Sequence, residues 1–394
     1  MSDAQLWSID RPSRKRLKSM TAARRFACGK VLGLVACAWI FIACGTASPR
    51  KSAASSEAAA ATNVPVKYGK LQVIGGHLSD DVGRPVQLRG MSTHGLQWYG
   101  EVVNDKAFAA LARDWKADVV RLPLYISEGG YAAHPELAHL LFAGIDLAIK
   151  HGMYVIVDWH VLTPGDPNDS VYSGAQAFFD EVSRKYAKYP NVIYEIMNEP
   201  NGQLSWSQQL KPYADRIVAT IRANDPDNII LIGSGTWSQD VDIAAADPVP
   251  GKNLVYTFHF YAGSHGQDLR NKIEVALERG VAVFCSEWGT SEASGSGGPY
   301  LRESEEWLAF LDRHGIGWVN FSISDKGESS AALKNLGDAL KAGQTALLDR
   351  ESLLVPATLG REGYALWGPD ELSASGTFVR NKMRSRPCAC ACRR

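Results

Sequence analysis

Two short stretches combine residue type and setting in a way that suits bond-breaking chemistry: Ile196-Met197-Asn198-Glu199-Pro200 and Phe284-Cys285-Ser286-Glu287-Trp288-Gly289. Each carries an apolar, strand-like run onto a glutamate. Two carboxyls brought together at strand ends can divide the cleavage of a glycosidic bond, one attacking the anomeric carbon while the other protonates the leaving oxygen. A gap of about 5 Å between them goes with retention of configuration, and about 6.5–9.5 Å with inversion. A lone glutamate at a strand end is more often a surface or salt-bridged residue. Two in matched settings point to chemistry.

The elements that must position them are legible as a repeat. Short β-branched or apolar runs recur at roughly thirty-to-forty-residue intervals, with amphipathic helical stretches such as Lys106 to Lys116 and Ala175 to Tyr189 between them. The runs are Val86 to Gly90, Val119 to Pro123, Tyr154 to Asp158, Val192 to Asn198, Ile229 to Ile232, Leu254 to Phe260, Val281 to Glu287, and Gly317 to Ser322. This α/β pattern predicts a single (β/α)8 TIM barrel, whose chemistry sits at the C-terminal ends of the strands. Those ends offer His94 and Trp98, Arg121 and Tyr125, Asp158 and His160, Asn198 and Glu199, Trp237, His259 and Tyr261, Glu287 and Trp288, then Phe321 and Lys326. A hairpin-like opening from Leu71 to Gln87, turning at Asp81-Val82-Gly83-Arg84, is expected to plug the opposite end.

Lysine plus arginine equals aspartate plus glutamate, 42 against 42, which gives no sign of a nucleic-acid partner. Residues 1–47 read as an export signal: a basic stretch from Arg11 to Lys30 precedes an uncharged run from Val31 to Cys44, too short to span a bilayer comfortably. Leu34-Val35-Ala36-Cys37 and Phe41-Ile42-Ala43-Cys44 both look like lipoprotein-processing sites, so transient membrane association through the leader competes with ordinary cleavage near Ala47. Residues 48–63 are an Ala/Ser-rich linker, 64–382 the catalytic barrel, and 383–394 a disordered tail. Of the cysteines only Cys285 falls in the body, so no disulfide framework is expected there. The segment from Ala339 to Tyr364 reads as an insertion on the last βα unit.

From about Val66 to Lys382 the chain resembles bacterial endoglucanases of glycoside hydrolase family 5. The resemblance rests on Met91 to Gly100, Tyr154 to His160, Tyr194 to Gly202, Tyr256 to Gly263, Ser286 to Gly289, Asp325 to Ser330 and the closing Leu372 to Phe378. It implies Glu199 as general acid/base and Glu287 as nucleophile of a retaining double displacement. Physical reasoning gives compatible roles: an ionised Glu287 raises the pKa of Glu199, and that repulsion vanishes once Glu287 becomes a neutral ester. Arg121 is suited to hold Glu287 ionised. The resemblance further implies Asn198 on the sugar 2-hydroxyl, Tyr261 on the nucleophile, and His160 and His259 around the cleaved subsite. It also implies His94, Trp98, Tyr125, Trp237, Phe321, Lys326 and Glu328 as substrate contacts, with the aromatic faces stacking on glucosyl rings.

The implied activity is secreted endo-β-1,4-glucan hydrolysis by a monomer acting on β-glucan. Xyloglucan, mannan or mixed-linkage glucan are alternative substrates, and a silent carbohydrate-binding protein is the alternative from another class. Three histidines and Asp158 at strand ends belong to the zinc-ligand set, but none has the close His spacing of a metal motif. No metal and no cofactor are expected. One departure stands out: where relatives read Asn-Trp-Ser, this chain reads Asn320-Phe321-Ser322. Phe321 offers less stacking area and no indole donor, so weaker binding of the sugar being cleaved is expected with the mechanism intact.

Overall fold

A computed structural model describes residues 64–335, 367–368 and 370–385. The expected leader, the linker, the insertion at 339–364 and the terminal cysteines lie outside the described residues. Two short strands, β1 (Gln72–Ile74) and β2 (His77–Ser79), pair antiparallel and precede the main sheet. The main sheet comprises β3 (Arg89–Thr93), β4 (Val119–Tyr125), β5 (Tyr154–His160), β6 (Val192–Glu195), β7 (Ile230–Ile232), β8 (Leu254–Tyr261), β9 (Ala282–Gly289) and β10 (Trp318–Ile323). These eight close into a parallel barrel in sequence order, β10 pairing with β3. All eight expected runs are strands, with bounds shifted by a few residues, as is usual for element ends.

Closure follows from the two-residue period of each strand. Along β4, Val120, Leu122 and Leu124 join the apolar layer beneath the helices, while Val119 faces the barrel interior. Along β8, Tyr256, Phe258 and Phe260 pack outward and Val255 inward. The innermost layer at the N-terminal end is apolar: Leu88, Tyr154, Ile156, Ile193, Leu231, Val255, Phe284 and Val319. Leu71 and Leu78 from the opening hairpin belong to that cluster, and the Tyr154 hydroxyl donates to the Gly69 carbonyl at 2.7 Å, so the hairpin covers this mouth.

The hairpin differs in detail from the expected one. It turns at Gly75-Gly76, both with positive φ as a two-residue hairpin loop requires. The predicted turn at Asp81 to Arg84 exists as a second one, in which Asp80 Oδ1 accepts from the Arg84 and Val82 amides at 2.8 and 3.1 Å. The last helix, Ala374–Arg384, starts with Ser373 accepting from the Gly376 amide and runs past Lys382. Met383 is fully buried one turn after Val379, so the folded body reaches beyond the boundary expected at 382. No helix among the described residues is long and apolar enough to cross a membrane.

Candidate active site

Above the apolar plug, the inward positions turn polar. The same alternation that buries Val119, Ile156 and Ile193 places Arg121, Asp158 and Glu195 one layer higher, all enclosed. Arg121 is the hub. Its Nε donates to Glu195 Oε2 at 2.6 Å, Nη1 to Glu287 Oε2 at 3.0 Å and Nη2 to Asn198 Oδ1 at 2.6 Å, and Nη2 forms an ion pair with Asp158 Oδ2 at 2.9 Å. Charge-assisted bonds of this kind offset the desolvation of a buried guanidinium and fix each acceptor's direction. The resulting field drives Glu195 down to about 2 despite burial, Arg121 being the leading opposing cause.

The next layer holds the two glutamates. β6 ends at Glu195, yet the chain keeps pairing: the Asn198 amide donates to the Trp159 carbonyl and the Glu199 amide to that of Val161. This extension lifts Glu199 to the barrel mouth, its side chain 13% exposed, opposite Glu287. One oxygen of Glu199, one of Glu287 and a ring nitrogen of His259 lie within 4.8 Å of one another. Tyr261 donates its hydroxyl to Glu287 Oε1 at 2.7 Å, and His259 Nδ1 lies 2.8 Å from Glu199 Oε1. Burial pushes both carboxyls up. For Glu287 the charges of His259 and Arg121 outweigh it and hold the group below its ordinary range. Glu199 stays raised, its His259 hydrogen bond opposing both burial and the Glu287 charge. The two carboxyls are thus displaced in opposite directions.

The histidines fall into two kinds. Burial lowers His160 to about 3, with Arg121 adding to the effect. Its Nε2 accepts from the Asn198 amide at 3.2 Å, so Nδ1 carries the proton donated to Asp158 Oδ2 at 2.7 Å. His259 is raised to about 9, because the Glu195 carboxylate 3.8 Å from its Nε2 and the hydrogen bond to Glu199 overcome burial. With His259 cationic and Arg121 adjacent, the Glu199, His259 and Glu287 cluster repels a metal ion even though its atoms converge. Asn198 is fully enclosed: its amide donates to the Val161 carbonyl at 3.2 Å as well as toward His160.

Around this centre the predicted substrate contacts separate into groups. Tyr125 stacks on His160 with ring centroids 3.8 Å apart, Trp98 meets Tyr125 at 5.0 Å, and Phe321 meets His94 at 5.0 Å. Trp98 and Trp237 are both 46% exposed, as aromatic platforms must be. Trp237 sits in a run of three left-handed residues, Thr236, Trp237 and Ser238. That conformation costs of order 1 kcal/mol or more per residue. The Trp237 amide donates to the Pro200 carbonyl at 3.0 Å and Ser238 Oγ to the Asn198 carbonyl at 2.6 Å, fastening the turn to the Glu199 segment. Lys326 and Glu328 pair with each other at 2.6 Å on the rim. Trp288 does not reach the cleft; it is fully buried, stacked on Phe260 and edge-on to Trp318.

Glu195 and Ser286 are part of this network without having stood out in the sequence. Glu195 was signalled only by being a charge in the inward register of a central strand. Ser286 sits inside the nucleophile motif as an unremarkable small residue.

Fold and site define a (β/α)8 barrel with a titratable cluster at the C-terminal ends of its strands. A profile described as "Cellulase (glycosyl hydrolase family 5)" matches residues 79–327. "Endoglucanase N" of Pectobacterium atrosepticum is 45% identical over 319 residues, covering 81% of this chain and 66% of that protein. "Cellulase CelDZ1" of a Thermoanaerobacterium species is 44% identical over 325 residues, 79% of each. Among solved structures, a thermostable, halotolerant GH5 cellulase from an Icelandic hot-spring isolate superposes with a TM-score of 0.74 at 42% identity, covering 82% of this chain and 96% of that one. The catalytic domain of Thermobifida fusca endoglucanase Cel5A, in complex with cellotetraose, gives 0.71 at 38% identity, covering 81% and 98%. The chain belongs to glycosyl hydrolase family 5. It spans 66% and 58% of the first two endoglucanases' own lengths.

Proposed function

We propose that this protein is an exported endo-β-1,4-glucanase that cleaves internal bonds of cellulose-like glucans by retaining double displacement. The observation that carries the reading is the approach of Glu199 and Glu287 to within 4.8 Å with their proton affinities displaced in opposite directions. That spacing supports retention, because an inverting pair needs room for a water between sugar and base. Glu287, held ionised by Arg121 and Tyr261, attacks the anomeric carbon. Glu199 gives its proton to the departing glycosidic oxygen. In the second step Glu199, now ionised, takes a proton from water as it attacks the ester, and the product keeps its configuration. The named relatives and the cellotetraose complex support β-1,4-glucan over mannan or xyloglucan.

Reducing-sugar release from carboxymethyl cellulose tests the activity, and proton NMR of freshly released ends tests the stereochemistry. The wild type is expected to release β-anomers first, and Glu287→Gln to lose activity by about 10^4-fold or more. Equal release by both proteins would remove Glu287 from the mechanism.

A further inference from the structure

Beneath the two cleft carboxyls lies a hydrogen-bonded chain with no part in bond making. Ser286 Oγ contacts Glu195 Oε1 at 2.5 Å, His259 Nε2 at 2.9 Å and the Thr257 hydroxyl. The serine has one proton to give. Glu195, paired with Arg121, is a carboxylate and only accepts, so the Ser286 proton goes to Glu195. The Ser286 oxygen is then an acceptor for His259, which fixes a proton on Nε2. We propose that Ser286 and Glu195 are positioning residues for the acid/base step: through the Ser286 hydroxyl, the Glu195 charge holds His259 as an imidazolium whose Nδ1–H is aimed at Glu199 Oε1.

This rests on the hydrolase reading above and gives it a specific proton geometry. With Oε1 accepting from His259, the catalytic proton of Glu199 is confined to Oε2, the oxygen left to meet the leaving group. In the first step that proton passes from Oε2 to the glycosidic oxygen as the C–O bond breaks. In the second, a water proton returns to Oε2 as the ester is hydrolysed. His259 keeps both its protons throughout and serves as a fixed cation beside an oxygen that alternates between neutral and charged.

His259 is surrounded by titratable groups from four other parts of the barrel and from its own strand's end. Arg121 lies on β4, Asp158 and His160 on β5, Glu195 and Glu199 on and after β6, and Glu287 on β9; His265 follows its own strand. Glu195 is the acidic group on the Nε2 side, its Oε1 3.8 Å from that nitrogen and bridged to it by the Ser286 hydroxyl. Loss of Glu195 lets His259 fall from about 9 toward the ordinary 6.5, and above that pH Glu199 loses a nearby cation.

The test is the pH profile of kcat/KM on a soluble cello-oligosaccharide for wild type, Glu195→Gln, Ser286→Ala and the double variant. The basic limb of the Glu195→Gln profile, set by Glu199, is expected to move upward by about one pH unit as the neighbouring cation is lost, while the acid limb, set by Glu287 at a pH where His259 is still protonated, stays in place. Ser286→Ala should move the basic limb the same way, and the double variant no further than Glu195→Gln. A lowered plateau with both limbs in place would make the two residues merely structural and overturn the proposal. Ser286→Ala, which removes a single hydroxyl, keeps the test available if Glu195→Gln fails to fold. A second readout needs no activity: nitrogen NMR of the His259 ring. Its titration midpoint is expected to fall by about a unit or more in Glu195→Gln. An unchanged midpoint overturns the relay even in an active enzyme. A shifted midpoint in a wild type that cleaves no β-glucan would sustain the relay and sink the hydrolase reading.

Discussion

Phe321 lies on the floor of the cleft with 6% of its surface exposed, tilted against His94, whose affinity for protons is lowered to about 3 chiefly by burial. A neutral imidazole and a phenyl edge give a sugar ring less flat apolar area than an indole would. The deficit belongs to binding, since neither ring touches the carboxyls that do the chemistry. Phe321→Trp is therefore expected to raise kcat/KM on soluble β-glucan several-fold, about 1 kcal/mol of added stacking, with the pH limbs unmoved. An unchanged efficiency would show that this position does not support the cleaved sugar. The distinction between Phe321 and its neighbours is chemical and was legible in the sequence: a tripeptide differing by one ring. Glu195 was not legible in that way, because its importance comes from Arg121, seventy-four residues earlier in the chain.

At the scale of elements, alternation explains most of the site and fails along β9 and, between Phe321 and Ile323, along β10. Along β8 the inward positions Thr257, His259 and Tyr261 follow the two-residue period. Along β9 the register slips: Thr257 pairs with Phe284 but His259 with Glu287, and on the other side Trp318 pairs with Cys285 but Asn320 with Trp288. One extra residue on β9 between both sets of partners is a bulge, a device that re-aims a side chain beside an active site. It lets Ser286 and Glu287, adjacent in sequence, both reach the central network, and it turns Trp288 outward into the aromatic stack with Phe260 and Trp318. A period-two reading places the eight strands and the polar ends correctly. It cannot place an inserted residue, because the bulge depends on two partner strands distant in sequence. The two tryptophans should accordingly behave in opposite ways. Trp288→Ala is expected to cost roughly 3–5 kcal/mol of stability and leave KM unchanged. Trp98→Ala should raise KM several-fold and leave the denaturation midpoint within about 0.5 kcal/mol of wild type. Urea unfolding beside steady-state kinetics separates them, and a raised KM for Trp288→Ala would place that ring in the cleft after all.

For the whole molecule, the interior polar layer is a store of charge that the apolar plug and helical shell make insensitive to solvent. Arg121 and His259 balance Glu195 and Glu287, while Asp158 and Glu199 are held toward higher proton affinity. Burial, together with Glu195 and Glu287, pushes Asp158 well above its ordinary range against the pull of Arg121. This balance predicts how folding stability varies with pH. His94 and His160 are lowered to about 3, so once the pH is about a unit above the unfolded 6.5 they are neutral in folded and unfolded chains alike and drop out. His259 differs: its folded value of about 9 exceeds the unfolded 6.5, so its contribution is complete below pH 6.5 and is lost as pH rises through 9. Between about pH 7.5 and 8.5 the unfolded state therefore binds fewer protons, and stability falls by about 1.4 kcal/mol per pH unit for each full proton of difference. Urea denaturation at intervals across that range should show the decline in wild type and a slope shallower by up to one proton in His259→Asn. A flat wild-type curve would mean that His259 carries no charge in the folded protein, and the pairing of Glu199 with a fixed cation would fall with it.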